Sequence, residues 1–256
     1  MTRRSILATV LIVCFCISAG LSQAETRDIT VSAAISLKNA FEKIGRLYEA
    51  KQGAKVLFNF GASGDLMTQI AGGAPVDVFA SAAQKDMDEA ENQGFIVAAT
   101  RVNIASNSVV LVVPAGAKKS LRSFEGLVAS DIKKIAIGNP KTVPAGRYAV
   151  DVFNYYKLLP AIKDKFIFTE NVRQVLDYVA RDEVDAGVVY ATDAAARPKE
   201  TIIIAVAPET SHKPVIYPIA IMKGTKSETL AKAFISLVLS PEGQKILQKY
   251  GFKAIK

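Results

Sequence analysis

From Ile29 onward the chain alternates short runs rich in apolar and β-branched residues with longer stretches whose apolar residues recur at helical spacing. That rhythm is the pattern of an α/β protein, in which strands hand over to helices that cover a sheet. The strands are read at 29–33, 55–60, 76–80, 108–114, 135–139, 165–168, 186–190, 202–205 and 216–222. They are short and mostly apolar, as in a mainly parallel sheet covered on both faces. Among the helices, Leu37, Phe41, Ile44, Leu47 and Tyr48 share one face, and Val172, Val175, Leu176 and Val179 repeat the device. Leu230, Phe234 and Leu237 do so again, and Ser240-Pro241-Glu242 starts a last helix with proline in its first turn. No low-complexity linker divides the chain, so two lobes would have to be built by the chain crossing between them.

The first 24 residues stand apart from this rhythm. Arg3 and Arg4 precede an almost wholly apolar run from Ile6 to Ile17, and Ser22-Gln23-Ala24 has the small-x-small form of a secretory cleavage site. Residues 1–24 are read as a signal peptide cleaved after Ala24, because the apolar run is short for a membrane span. The paired arginines leave the Sec and twin-arginine routes both open. Cys14 and Cys16 depart with this segment, so the mature chain has no disulfide framework and no thiolate for catalysis or zinc. Neither cysteine lies in the setting of a lipid anchor. The signal takes two of 32 basic residues and none of 24 acidic ones, so 30 against 24 remain and the mature net charge is +6. The excess is spread over Lys118-Lys119, Lys133-Lys134, Lys163, Lys165 and the stretch from Lys245 to Lys256, with no nucleic-acid motif among them. Mild steering of small anions is what such a charge supplies.

Ligands bind outside the carboxyl ends of strands in sheets of this kind. Ser36 and Ser63 both sit where a strand runs into a helix, and a helix N-terminus offers unpaired N–H groups together with partial positive charge. Three more junctions fit the rule: Ala145-Gly146 opens a helix after the strand at Ile135, Asn171 precedes the helix beginning Val172-Arg173, and Tyr190 ends a strand. Each has a plainer reading. A serine or asparagine before a helix is most often an N-cap worth about 1 kcal/mol, and a tyrosine ending a strand is usually core or rim. Only their joint occurrence favours one small anion.

The segments AAISLKNAF, FNFGASGDLMTQIAGGAPVDVFASA, NPKTVPAGRYA, ENVRQVL, GVVYATDA, SHKPVIYPIAI and LSPEGQKILQKYGF occur in this order over nearly the whole mature length. In them the chain resembles the periplasmic molybdate-binding proteins of ABC transporters. The resemblance implies a two-lobed type II periplasmic binding fold, with residues 25–107 plus 216–256 as one lobe and 108–215 as the other. It also implies a site for molybdate, and with it tungstate, made by the hydroxyls of Ser36 and Ser63, the main-chain N–H groups of those serines and of Ala145 and Val172, and the hydroxyl of Tyr190. Molybdenum would be present only as the bound oxyanion, with no cofactor. The implied partner is an inner-membrane ABC permease, and the protein is expected to be a periplasmic monomer and not an enzyme. The turn around Ser63 departs locally, reading GASG where some relatives carry a run of serines.

The residue types agree with such a ligand. None of the five positions supplies a charged side chain, and neutral donors in a dry cleft hold a dianion through charge-assisted hydrogen bonds. A site without an acceptor would bury the O–H of protonated phosphate unpaired, at a cost of about 1–3 kcal/mol. Sulfate shares the charge and symmetry of molybdate and stays as an alternative. An exported hydrolase using Ser36 or Ser63 is another, but its base would have to be His212, and no G-x-S-x-G elbow surrounds either serine. The effector domain of a transcription regulator fits poorly, since an export signal stands where a helix-turn-helix segment belongs.

Overall fold

The computed structural model describes residues 28–117 and 121–255. The expected signal peptide and the lysines at 118, 119 and 256 lie outside the described residues. The first stretch of chain runs β1 (Asp28–Ala34), α1 (Lys38–Gln52), β2 (Lys55–Gly61), α2 (Ser63–Ala71), β3 (Val78–Ala80), α3 (Gln84–Asn92) and β4 (Val102–Ser106). The second runs β5 (Val109–Pro114), β6 (Ile135–Gly138), α4 (Pro144–Tyr155), α5 (Leu159–Ile162), β7 (Phe166–Thr169), α6 (Val172–Ala180), β8 (Ala186–Tyr190), α7 (Ala191–Ala194) and β9 (Thr201–Val206). The last returns through β10 (Ile216–Ile221), α8 (Glu228–Leu239) and α9 (Pro241–Lys249).

These strands form two five-stranded sheets, ordered β2-β1-β3-β10-β4 and β7-β6-β8-β5-β9. The chain therefore passes between sheets twice, through Asn107-Ser108 and through residues 207–215. Parallel pairing is confined to β2-β1-β3 and β7-β6-β8, and the other neighbours pair antiparallel. Each sheet is thus mixed and not mainly parallel. Parallel neighbours need a crossover connection, whereas β5 and β10 enter straight from the opposite sheet. One strand, β4, has no counterpart among the strands that the sequence pattern marks. It is a short edge strand whose polar Asn103 and Ser106 break the apolar run that marks the others.

Burial follows position in the sheet. The strands β5, β6 and β8 are buried along their whole length. Within the sheets, the exposed large apolar residues fall on edge strands instead: Leu57 on β2, Phe168 on β7, and Ile202, Ile203 and Val206 on β9. The helix α1 packs with α8 and α9 on the first sheet, where Phe41 and Tyr48 meet Phe234 edge to face at 5.7 and 5.6 Å. Removing each of these rings from water contributes about 1.5–3 kcal/mol. On the opposite face, Leu66, Met67 and Ile70 of α2 and Met87 of α3 close a smaller core with Phe79 and Met222. The main core runs without a break through both sheets.

Candidate functional site

All five positions singled out from the sequence line one small cavity between the two sheets. They lie at the carboxyl ends of β1, β2, β6, β7 and β8 or in the turns that follow. The first sheet supplies Ser36 and Ser63, and the second supplies Ala145, Val172 and Tyr190. Ser36 occupies a single 3-10 turn, Ile35–Leu37, between β1 and α1. Ser63 is the first residue of α2, Ala145 the second of α4 and Val172 the first of α6. At those places a main-chain N–H has no acceptor within its own helix, and three helix dipoles direct their positive ends at one point.

The capping explanation separates cleanly among these residues. Asn171 is a cap: its side chain accepts from the N–H of Gln174 at 3.0 Å. Neither serine caps its helix. The Oγ of Ser63 accepts from the N–H of Ala82 at 3.0 Å, and the Oγ of Ser36 lies 3.0 Å from the hydroxyl of Tyr217. Both serines are therefore anchored from behind while they line the cavity.

Tyr190 is different. Only 1% exposed, its hydroxyl has no hydrogen-bond partner, one of two such buried side-chain atoms among the described residues. Burial, reinforced by the neighbouring Tyr217, pushes its phenol well above the ordinary tyrosine range, so the group keeps its proton. Its N–H meets the carboxylate of Asp193, which also accepts from Arg173 Nε at 2.5 Å. Burial raises Asp193 against the opposing pull of Arg173. The fully buried carboxylate nearest this end of β8 is thus already engaged by an arginine.

The walls touch around the cavity. The N–H of Gly64 donates to the carbonyl of Thr142 at 2.9 Å, and a Cβ on Gly64 would lie 2.7 Å from that oxygen. This close approach accounts for the glycine in the GASG turn. Arg147 of α4 meets Asp86 of α3 at 2.5 Å, a second bridge between the layers of the two sheets. The cavity itself has room for the centre of about one water-sized sphere, ≈ 10 Å³. A guest with four oxygens enters such a space only if the walls part.

Sequence reasoning missed Tyr217 and Asn107, which stand behind Ser36. The Nδ2 of Asn107 reaches the Tyr217 hydroxyl at 3.2 Å and Thr192 Oγ1 at 2.8 Å. Tyr217 lies in one of the segments that carry the resemblance, but its separation of 181 positions from Ser36 hides the contact. Among the described residues His212 is hydrogen-bonded to neither serine: its Nδ1 meets the carbonyl of Lys213 and its ring packs on Tyr148. Among the described residues no cluster of His, Cys, Asp and Glu could hold a metal ion, and no helix is long and apolar enough to cross a membrane.

Two mixed sheets with a closed, uncharged donor cavity between them define a protein that binds a small solute. The family model for bacterial extracellular solute-binding proteins matches residues 29–253, and the chain belongs to that family. It is 40% identical over 227 residues to YvgL of Bacillus subtilis (strain 168), whose name describes a substrate-binding lipoprotein of an ABC transporter; the match covers 88% of this chain and 86% of that one. It is 37% identical over 240 residues to the molybdate-binding protein ModA of Escherichia coli (strain K12), covering 91% and 92%. Among solved structures, the periplasmic molybdate-binding protein of Azotobacter vinelandii superposes with a TM-score of 0.79 at 26% identity, covering 89% of this chain and all of that one.

Proposed function

We propose that this protein captures molybdate, and tungstate with it, outside the inner membrane and delivers the anion to an ABC permease without transforming it. The observation that carries this reading is the buried hydroxyl of Tyr190, unpartnered in a cavity whose opposite wall presents Ser36 and Ser63. A fully deprotonated tetrahedral dianion supplies the missing acceptor. The names of relatives at 35% and 37% identity support the choice of molybdate over other tetrahedral oxyanions. The N–H groups of Ser36, Ser63, Ala145 and Val172 complete the donor set, and residues 25–107 plus 216–256 and 108–215 act as the two lobes that close on it. Such closure follows because only the closed form lets both walls touch the anion.

The test is competitive calorimetry on the mature protein with molybdate, tungstate, sulfate and phosphate. Molybdate and tungstate are expected to bind tightly and to exclude each other. In thermal melts, molybdate at a hundredfold excess over its dissociation constant adds about 2.7 kcal/mol of stability, a rise of roughly 5–10 °C for a chain of this size. A shift with phosphate or with an amino acid, and none with molybdate, overturns the reading. Turnover of an ester or phosphate ester that disappears in Ser63→Ala favours a hydrolase instead.

A further inference from the structure

The hydrogen bonds behind Ser36 can be assigned a direction. The Oδ1 of Asn107 accepts from the N–H of Ser108 at 2.9 Å, which fixes the orientation of the amide. Its Nδ2 then has two protons, and they have two acceptors, Thr192 Oγ1 at 2.8 Å and the Tyr217 hydroxyl at 3.2 Å. Tyr217 is fully buried, and among the described residues its hydroxyl has hydrogen-bond partners in Asn107 and Ser36 alone. Since Asn107 Nδ2 is purely a donor, the one acceptor left for the phenolic proton is Ser36 Oγ. The opposite arrangement would leave the Tyr217 proton buried without a partner, which is strongly disfavoured. Burial, with the charge of Asp193 adding to it, keeps that phenol protonated. Ser36 thus receives a proton from behind and has its own to give to the cavity.

We infer that Asn107 and Tyr217 are positioning residues that hold Ser36 as a hydrogen donor, and that Asn107 thereby sets the rejection of oxyanions carrying a proton. The inference rests on the oxyanion reading above and adds to it a determinant outside the cavity. A ligand O–H pointed at Ser36 would meet an oxygen that already accepts from Tyr217 and whose own proton faces the cavity; turning that proton back onto Tyr217 would need Tyr217 to donate to Asn107, whose amide nitrogen cannot accept. A carboxylate in place of that amide could. It would accept from the N–H of Ser108 and from the hydroxyls of Thr192 and Tyr217, so that Tyr217 accepts from Ser36 and Ser36 accepts from the ligand.

The experiment compares the dissociation constants of molybdate and hydrogen phosphate by calorimetry, at a pH above the second ionisation of phosphate. Both anions are then doubly charged, and the charge introduced by Asn107→Asp acts on them alike. The ratio of the phosphate constant to the molybdate constant is expected to fall about tenfold or more in Asn107→Asp. In Asn107→Asp combined with Tyr217→Phe, the series is cut and the ratio is expected to return to the Tyr217→Phe value. An unchanged ratio in Asn107→Asp, or a shift that persists when Tyr217 is also replaced, overturns the inference while the ligand reading stands. A wild-type protein that binds no oxyanion overturns both. Should Asn107→Asp fail to fold, a cycle of Ser36→Ala and Tyr217→Phe decides: molybdate binding weakens about fivefold in Tyr217→Phe, and Ser36→Ala then costs less than in the wild type. Strictly additive losses overturn the inference.

Discussion

Tyr190 and Tyr217 are equally buried, yet one hydroxyl has two partners and the other none. This contrast makes separable predictions. In Tyr190→Phe nothing in the ligand-free protein loses a bond, so its thermal melt should stay within about 1 kcal/mol of wild type. Molybdate binding should weaken by roughly 10- to 100-fold, the loss of one charge-assisted bond. Calorimetry and a ligand-free melt measure the two effects independently, and a collapse of the ligand-free fold would make Tyr190 structural. Ser63→Ala should do both kinds of damage. It strands the buried N–H of Ala82, costing about 1–3 kcal/mol before any ligand is added, and it also removes a donor from the cavity.

At the scale of elements, five strand-to-helix turns contribute to the cavity, and among them only α6 is capped by the side chain of the residue before it. Asn171→Ala should lower stability by about 1 kcal/mol, some 2–4 °C in a melt, with a smaller effect on binding because the N–H of Val172 is main chain. The strands were legible because a buried strand is a run of Val, Ile, Ala and Phe, whatever its direction. Direction was not legible: the antiparallel pairing of β3, β10 and β4 depends on where the chain re-enters the first sheet, which no local pattern records. The edge strand β4 escaped because only two of its five residues are buried and its polar residues show it. The cavity positions were readable as strand ends, since that rule is local. The link from Ser36 to Tyr217 and Asn107 was not, because a hydrogen bond across 181 residues leaves no periodic trace.

The whole molecule is held by an apolar core continuous through both sheets, by two chain crossings and by bridges at the cavity rim. Ligand-driven closure over that cavity should appear as a smaller radius of gyration by small-angle scattering when molybdate is added. Gly64→Ala is the matching control. A Cβ there would sit 2.7 Å from the Thr142 carbonyl of the other wall, which obstructs closure, whereas alanine within a helix is otherwise favourable. The variant should melt within about 1 kcal/mol of wild type without ligand, bind molybdate at least about tenfold more weakly, and compact less.

The unpartnered hydroxyl of Tyr190 also bears on how faithfully the protein reports its own state. A shut cavity with nothing in it carries a buried proton without an acceptor, a penalty of about 1–3 kcal/mol, which thins that population by about 5- to 150-fold relative to one with the hydroxyl satisfied. The guest, not the scaffold, supplies the acceptor. A transporter that recognises the shut shape would therefore seldom be triggered by an unloaded carrier, and one missing hydrogen bond would guard it against futile cycles of ATP hydrolysis.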